Sequence, residues 1–252
     1  MVLHIPHAST HIPSRFSDFF VLSKDDLERE LILLTDAHTD ELFEHPDFPA
    51  IRFPYSRLLV DVERFRDDTK EPMFQVGMGK IYMRTAEGKP LKRELSAGET
   101  DSLVALYDAH HSEFTRLVQE ELADGGSSII VDCHSFPSFY LTWLNKRETL
   151  LPDFCIGSDP FHTPENLVQK IQKVISALGY SVEVNWPFSG SIVPSPHHEK
   201  TKNVRSIMIE VNRKLYMNEL TGDKTSGFER TKNDVQTILR EISEFAENEA
   251  KG

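Results

Sequence analysis

Cysteine is scarce in this chain: two in 252 residues, Cys133 and Cys155. That excludes a disulfide-stapled fold and fits a reducing compartment, so a cytoplasmic protein is expected. Basic residues are also in deficit, 28 Lys and Arg against 40 Asp and Glu, for a formal charge of -12. A partner with a phosphate backbone needs a basic face to displace counterions, so nucleic acid is excluded as the expected ligand and a small metabolite is favoured. No apolar run approaches the roughly 20 residues that cross a bilayer, and the first residues lack the basic and apolar regions of an export signal. There is no Gly-x-Ser-x-Gly elbow and no compact His-Glu-x-x-His. Repeats and low-complexity linkers are missing too, which predicts one domain over residues 1–252.

What the sequence does have is a set of apolar runs that end abruptly in polar residues. Ser127-Ser128-Ile129-Ile130-Val131 runs into Asp132-Cys133-His134-Ser135. Met1 to Ile5 leads to Pro6-His7, and Ser206 to Ile209 leads to Glu210-Val211-Asn212-Arg213. These read as strands delivering chemistry at their tips, and ligands gather at the carboxyl ends of strands in open α/β sheets. The three tips are therefore expected to converge.

Between them, Ser23 reads as the N-cap of a helix through Leu27, Leu31 and Leu34. Leu34 to Phe43 continues it or starts another, with Asp36 and Asp40 one turn apart on one face. Leu59 to Glu63 alternates like a strand that puts Asp61 and Glu63 on one face. Residues 66–99 have no clear period and read as a long excursion near the site. A helix is expected from about Ser102 to Leu122, ending at Gly125-Gly126. Residues 150–163 read as loop, Pro164 onward as a helix stopped by Gly179, Tyr180 to Asn185 as a strand, and Lys224 to Ala250 as a final helix.

A cysteine nucleophile is disfavoured because adjacent strand residues face opposite ways, so Cys133 and His134 cannot serve each other. A metal site fits better. His7, Asp36 and His134 offer two imidazoles and a carboxylate, and Glu210 adds a further acidic tip; a catalytic zinc site wants such ligands, an open position and a free carboxylate. Spacing alone leaves each of these residues open to an ordinary structural role.

Six short motifs occur in order: Ile5-Pro6-His7-Ala8-Ser9, Thr35 to Leu42, Ser56 to Arg64, Asp132-Cys133-His134-Ser135, Asn185-Trp186-Pro187-Phe188-Ser189-Gly190 and Ile209 to Tyr216. Together, over about residues 3–217, the chain resembles the N-formylglutamate amidohydrolase family. It departs from the common family pattern at Ala8-Ser9, at Glu63 where Asn is usual, and after Pro187.

The resemblance implies an α/β class, a hydrolase-like three-layer α/β/α sandwich around a mixed, largely parallel sheet, similar to zinc carboxypeptidases and aspartoacylases. It implies a hydrolase of a non-peptide amide bond with Zn²⁺, or another divalent metal, on His7, Asp36 and His134. It makes Glu210 the catalytic acid/base, and Arg57, Arg64, Asn185, Ser189 and Arg213 substrate-binding. The implied reaction, in amino-acid degradation, takes N-formyl-L-glutamate and water to formate and L-glutamate. A relative acting on another N-acyl amino acid, a carboxypeptidase-like peptidase, and a metabolite-binding module without activity are the alternatives.

Overall fold

The computed structural model describes residues 1–139 and 150–250. Six strands form its sheet: β1 (Val2–Ile5), β2 (Ala50–Arg52), β3 (Ser128–Phe136), β4 (Phe154–Gly157), β5 (Val182–Val184) and β6 (Val204–Asn212), in the spatial order β2-β1-β3-β6-β4-β5. The pairings are parallel except β4 with β6. The three strands with polar tips, β1, β3 and β6, are thus consecutive neighbours running the same way. β3 and β6 are paired over nine residues, with His134 opposite Glu210, and every residue of β3 is buried.

Among the described residues there are five α-helices: α1 (Lys24–Leu34), α2 (Thr39–Leu42), α3 (Ala97–Gly125), α4 (Glu165–Ala177) and α5 (Phe228–Ala250); α2 to α5 cover the sheet, and Leu34 of α1 packs with Leu58, Met78 and Tyr82. Alternation along the strands decides which helix meets which face. Leu3, Ile5, Val131 and Ile209 pack with Leu42 of α2, Ile171 of α4 and Ile238 of α5. Val2, Ile130 and Val204 turn the other way, onto Phe114 and Val118 of α3. The result is a three-layer α/β/α architecture. Among the described residues, no helix is long and apolar enough to cross a membrane.

Local chemistry sets the helix ends. Ser23 caps α1 by accepting from the Asp26 amide, and Ser96 with Glu99 makes a reciprocal capping box at the start of α3. That box moves the start of α3 several residues before Ser102. The helix ends where Gly126 takes φ 70°, a left-handed conformation that suits glycine.

Three sequence expectations are corrected. Of the two readings of residues 34–43 the second holds, but only from Thr39: α1 stops at Leu34, and His38 at φ 66° separates it from α2. Asp36 therefore lies in the break and shares no helical face with Asp40. Leu59 to Glu63 is not a strand. The Asp61 carboxylate accepts from the Glu63 amide, a local turn bond that competes with a sheet ladder, while Leu59, Val60 and Val62 are all buried. Residues 154–157 are not loop but the strand β4. Buried on both faces, it has no alternation to reveal it.

Candidate metal centre

His7 follows β1, Asp36 lies in the α1–α2 break, and His134 lies near the end of β3. Their donor atoms all fall within 4.8 Å of one another. His134 Nδ1 is 3.0 Å and His7 Nδ1 3.6 Å from Asp36 Oδ2. Each imidazole has a carboxylate on its other nitrogen: Asp61 Oδ1 lies 2.8 Å from His7 Nε2, and Asp132 Oδ1 lies 3.0 Å from His134 Nε2. A ring that donates Nε2–H to a carboxylate presents a bare Nδ1, the usual outer support of a metal-ligating histidine. His7 Nδ1 is buried and makes no hydrogen bond, a costly state unless something accepts its lone pair. The residues thus fit a divalent metal bound between the two Nδ1 atoms and Asp36.

Asp61 organises more than His7. Its Oδ2 accepts from Tyr82 OH at 2.6 Å and from Arg57 Nη2 at 2.8 Å, with Arg64 Nε at 3.5 Å. Burial opposes ionisation of Asp61, but Arg57 and His7 overcome it and hold the carboxyl well below its ordinary range. Asp36 is held down in the same way against burial, by His134, His7 and Arg213.

Glu210 differs. It is buried, its Oε2 makes no hydrogen bond, and burial pushes its carboxyl up to about 8. A carboxylate with raised basicity and a free oxygen beside a metal site is suited to carrying a proton.

These groups open on a cavity of about 410 Å³. His7, Asp36, His134, Glu210, Arg57, Arg64, Ser189 and Arg213 all line it, and so do Glu63, Glu71, Tyr82, Phe65, Met73 and Phe188. The excursion at 66–99 therefore forms part of the wall, through Glu71 and the short turn Pro72–Val76 and through Met78 and Tyr82. Arg213 is held on several sides, by Asp36 Oδ1 at 2.9 Å, Ser135 Oγ at 3.1 Å and the Leu33 carbonyl at 2.6 Å.

Asn185 is not brought to the cavity. β5 runs opposite to β3, so its carboxyl end is directed away from the site, and the Asn185 side chain pairs with Ser158 Oγ and the Ser158 amide. Only beyond Trp186 does the chain return with Phe188 and Ser189. Cys133 lies in the apolar core on the opposite face of β3, and burial pushes its thiol well up. Of the unassigned histidines, His111 bonds the Val62 carbonyl at 2.8 Å and His38 the Gly222 carbonyl at 2.8 Å, outside the lining.

Sequence reasoning gave no role to Tyr82, Glu71 or His4. Tyr82 and Glu71 lie in the stretch without period, where residue type carries no signal. His4 had a signal, the pair His4 and His7 on one strand end.

The model of the N-formylglutamate amidohydrolase family matches residues 1–217. The crystal structure of N-formylglutamate amidohydrolase from Ralstonia eutropha JMP134 superposes with TM-score 0.84 at 22% identity, covering 98% of this chain and 94% of that one. A gene product of Agrobacterium tumefaciens superposes with TM-score 0.65 at 17% identity, covering 97% and 90%. At such identities these two share the fold. No curated protein sequence matches significantly. With the family pattern running through β1, β3, β6 and the side chains they present, the chain belongs to the N-formylglutamate amidohydrolase family.

Proposed function

We propose that the protein is a zinc-dependent amidohydrolase that removes the N-acyl group of an amino acid, with N-formyl-L-glutamate as its substrate, and that residues 1–252 act as one catalytic unit. The reading is carried by one observation: the Nδ1 atoms of His7 and His134 and Oδ2 of Asp36 converge beside Glu210, whose buried Oε2 is unpartnered.

Two imidazoles and a carboxylate are a zinc donor set. Bound there, the ion would supply Lewis acidity toward the acyl carbonyl and lower the pKa of water. Glu210 takes the proton of the attacking water and passes it to the leaving amine nitrogen, so that the C–N bond breaks to give a carboxylate and a free amine. Asp61 and Asp132 hold His7 and His134 in the tautomers that point Nδ1 inward. Arg57 and Arg64 line the cavity, Arg57 with its Nε and Nη2 on Asp61, and both bring positive charge to the wall for a substrate carboxylate or an oxyanion, while Ser189 lines the wall as well. Asn185 positions the 186–190 turn from outside the cavity.

The test is formate release from N-formyl-L-glutamate by the zinc-loaded protein, run beside N-acetyl and N-succinyl amino acids. Hydrolysis of the N-formyl substrate is expected. Preference for another acyl group would change the substrate, and no hydrolysis of any panel member would contradict the reading.

A further inference from the structure

Beside the centre just described lies a second convergence of donors, of which the proposed reaction uses only Asp132, as the support of His134. His4 Nδ1 on β1 is 2.9 Å from Asp132 Oδ1 on β3 and 3.0 Å from Glu63 Oε1 in the turn after Val62. His134 Nε2, on the back of the same imidazole that faces Asp36, is 3.0 Å from Asp132 Oδ1 and 3.8 Å from Glu63 Oε1. His4 is fully buried and Asp132 nearly so, while Glu63 reaches the cavity. We propose that His4, Glu63 and Asp132 form a second divalent-cation site, entered from the cavity past Glu63.

A tetrahedral ion about 2.0–2.2 Å from nitrogen and oxygen donors sets those donors about 3.3–3.6 Å apart. From His4 Nδ1 the two oxygens lie at 2.9 and 3.0 Å, inside that spacing, so a bound ion would move them apart by about half an ångström. The orientation of His4 also fits. Its Nε2 lies 3.0 Å from His110 Nε2, and of two facing imidazole nitrogens one donates and the other accepts. With His4 donating from Nε2, a bare Nδ1 is left facing two carboxylates, as His7 and His134 face Asp36.

The competing occupant is a single proton on His4 Nδ1. It serves Asp132 but leaves Glu63 Oε1 unsatisfied: that oxygen is buried and makes no hydrogen bond despite lying 3.0 Å from the ring nitrogen. A cation has no such directional limit and takes both oxygens at once. Two carboxylates and a neutral imidazole also balance a divalent charge, which a buried site requires. One nitrogen and two hard oxygens suit first-row divalent ions such as Mn²⁺ or Zn²⁺. An ion there would fix Asp132, and through it the ring of His134, so the two sites would be mechanically linked without sharing a metal.

The experiment is calorimetric titration of chelator-stripped full-length protein with Zn²⁺, for wild type, E63Q and D36N. Two equivalents in wild type are expected. E63Q should weaken only one of them by about 10-fold or more, and D36N only the other. A single wild-type equivalent lost in D36N and kept in E63Q overturns the second site and leaves the proposed function standing. A single equivalent lost in E63Q and kept in D36N places the only metal at His4, Glu63 and Asp132, and overturns the centre at His7, Asp36 and His134. No binding overturns both. The wild-type count decides the second site even if a variant does not fold, since one equivalent is already too few.

Discussion

At the residue scale, the chemistry follows from which nitrogen or oxygen each side chain leaves free. His7 and His134 each spend Nε2 on a carboxylate and keep Nδ1 for the site; Glu210 keeps Oε2. Part of this is legible without coordinates. The pleat alone separates Cys133 from His134 and puts Asp132 on the His134 face. What cannot be read is the partner across space: Asp61 to His7 and His4 to Asp132 join residues from different elements, and nothing local encodes them.

Lys92 is such a case and gives a pH test. It is buried with its ammonium on the carbonyls of Leu58 and Tyr82, and burial lowers its pKa from 10.5 to about 7. Between those values the unfolded chain binds the proton and the folded one does not, so stability rises with pH across that window and the cost of the buried charge is fully present below it. The size is on the order of a few kcal/mol. Denaturant unfolding of wild type and K92M from neutral to alkaline pH should give a wild-type-minus-variant difference that climbs with pH. A flat difference would contradict the assignment.

At the scale of elements, long apolar strands with polar tips and helices with one exposed face are readable, and short buried strands and turn-rich pieces are not. β3 and β6 announced themselves as apolar runs with polar ends, and α4 by its stripe of Leu167, Ile171 and Ile175. β4 is hidden because it is four residues long and buried on both faces, with neither alternation nor a polar tip, and Leu59 to Glu63 imitates a strand because its apolar and acidic residues alternate although Leu59 to Val62 are all buried. The break at Asp36 depends on His38 adopting a left-handed φ, which no period reveals. Asn185 was misplaced because the reversed direction of β4 and β5 is a topological fact, not a local one.

Two glycines test the packing of these elements. A Cβ on Gly157 of β4 would lie 2.3 Å from the Gly190 carbonyl oxygen and 2.3 Å from Met208 Cε. Gly157→Ala is therefore expected to destabilise by about 1–3 kcal/mol and to push the 188–190 turn, raising KM more than it lowers kcat. Gly98, in the first turn of α3, has nothing within 4 Å of a built Cβ. Gly98→Ala is expected to stabilise by up to about 1 kcal/mol. Thermal unfolding measures both; equal effects from the two would mean the β4 contact is absent.

At the scale of the whole molecule, the sheet order does the assembling. Because β1, β3 and β6 are parallel neighbours, His7, His134 and Glu210 arrive at one end of the sheet, and the break after α1 brings Asp36 to them. The convergence is legible as strand tips in the sequence, and the class of fold and the family as the resemblance carried by six ordered motifs. The wall built by Glu71, Met73 and Tyr82 was not, since it comes from a stretch without period.

The central claim is that Glu210 moves the proton while His7, Asp36 and His134 hold the metal. Metal content and turnover of E210Q, measured on one preparation beside wild type, test it most directly. The expected result is unchanged metal content with a rate about a hundred- to ten-thousand-fold lower, the range for loss of a general acid/base. An E210Q protein that keeps its metal and hydrolyses substrate at a near-normal rate would contradict the account.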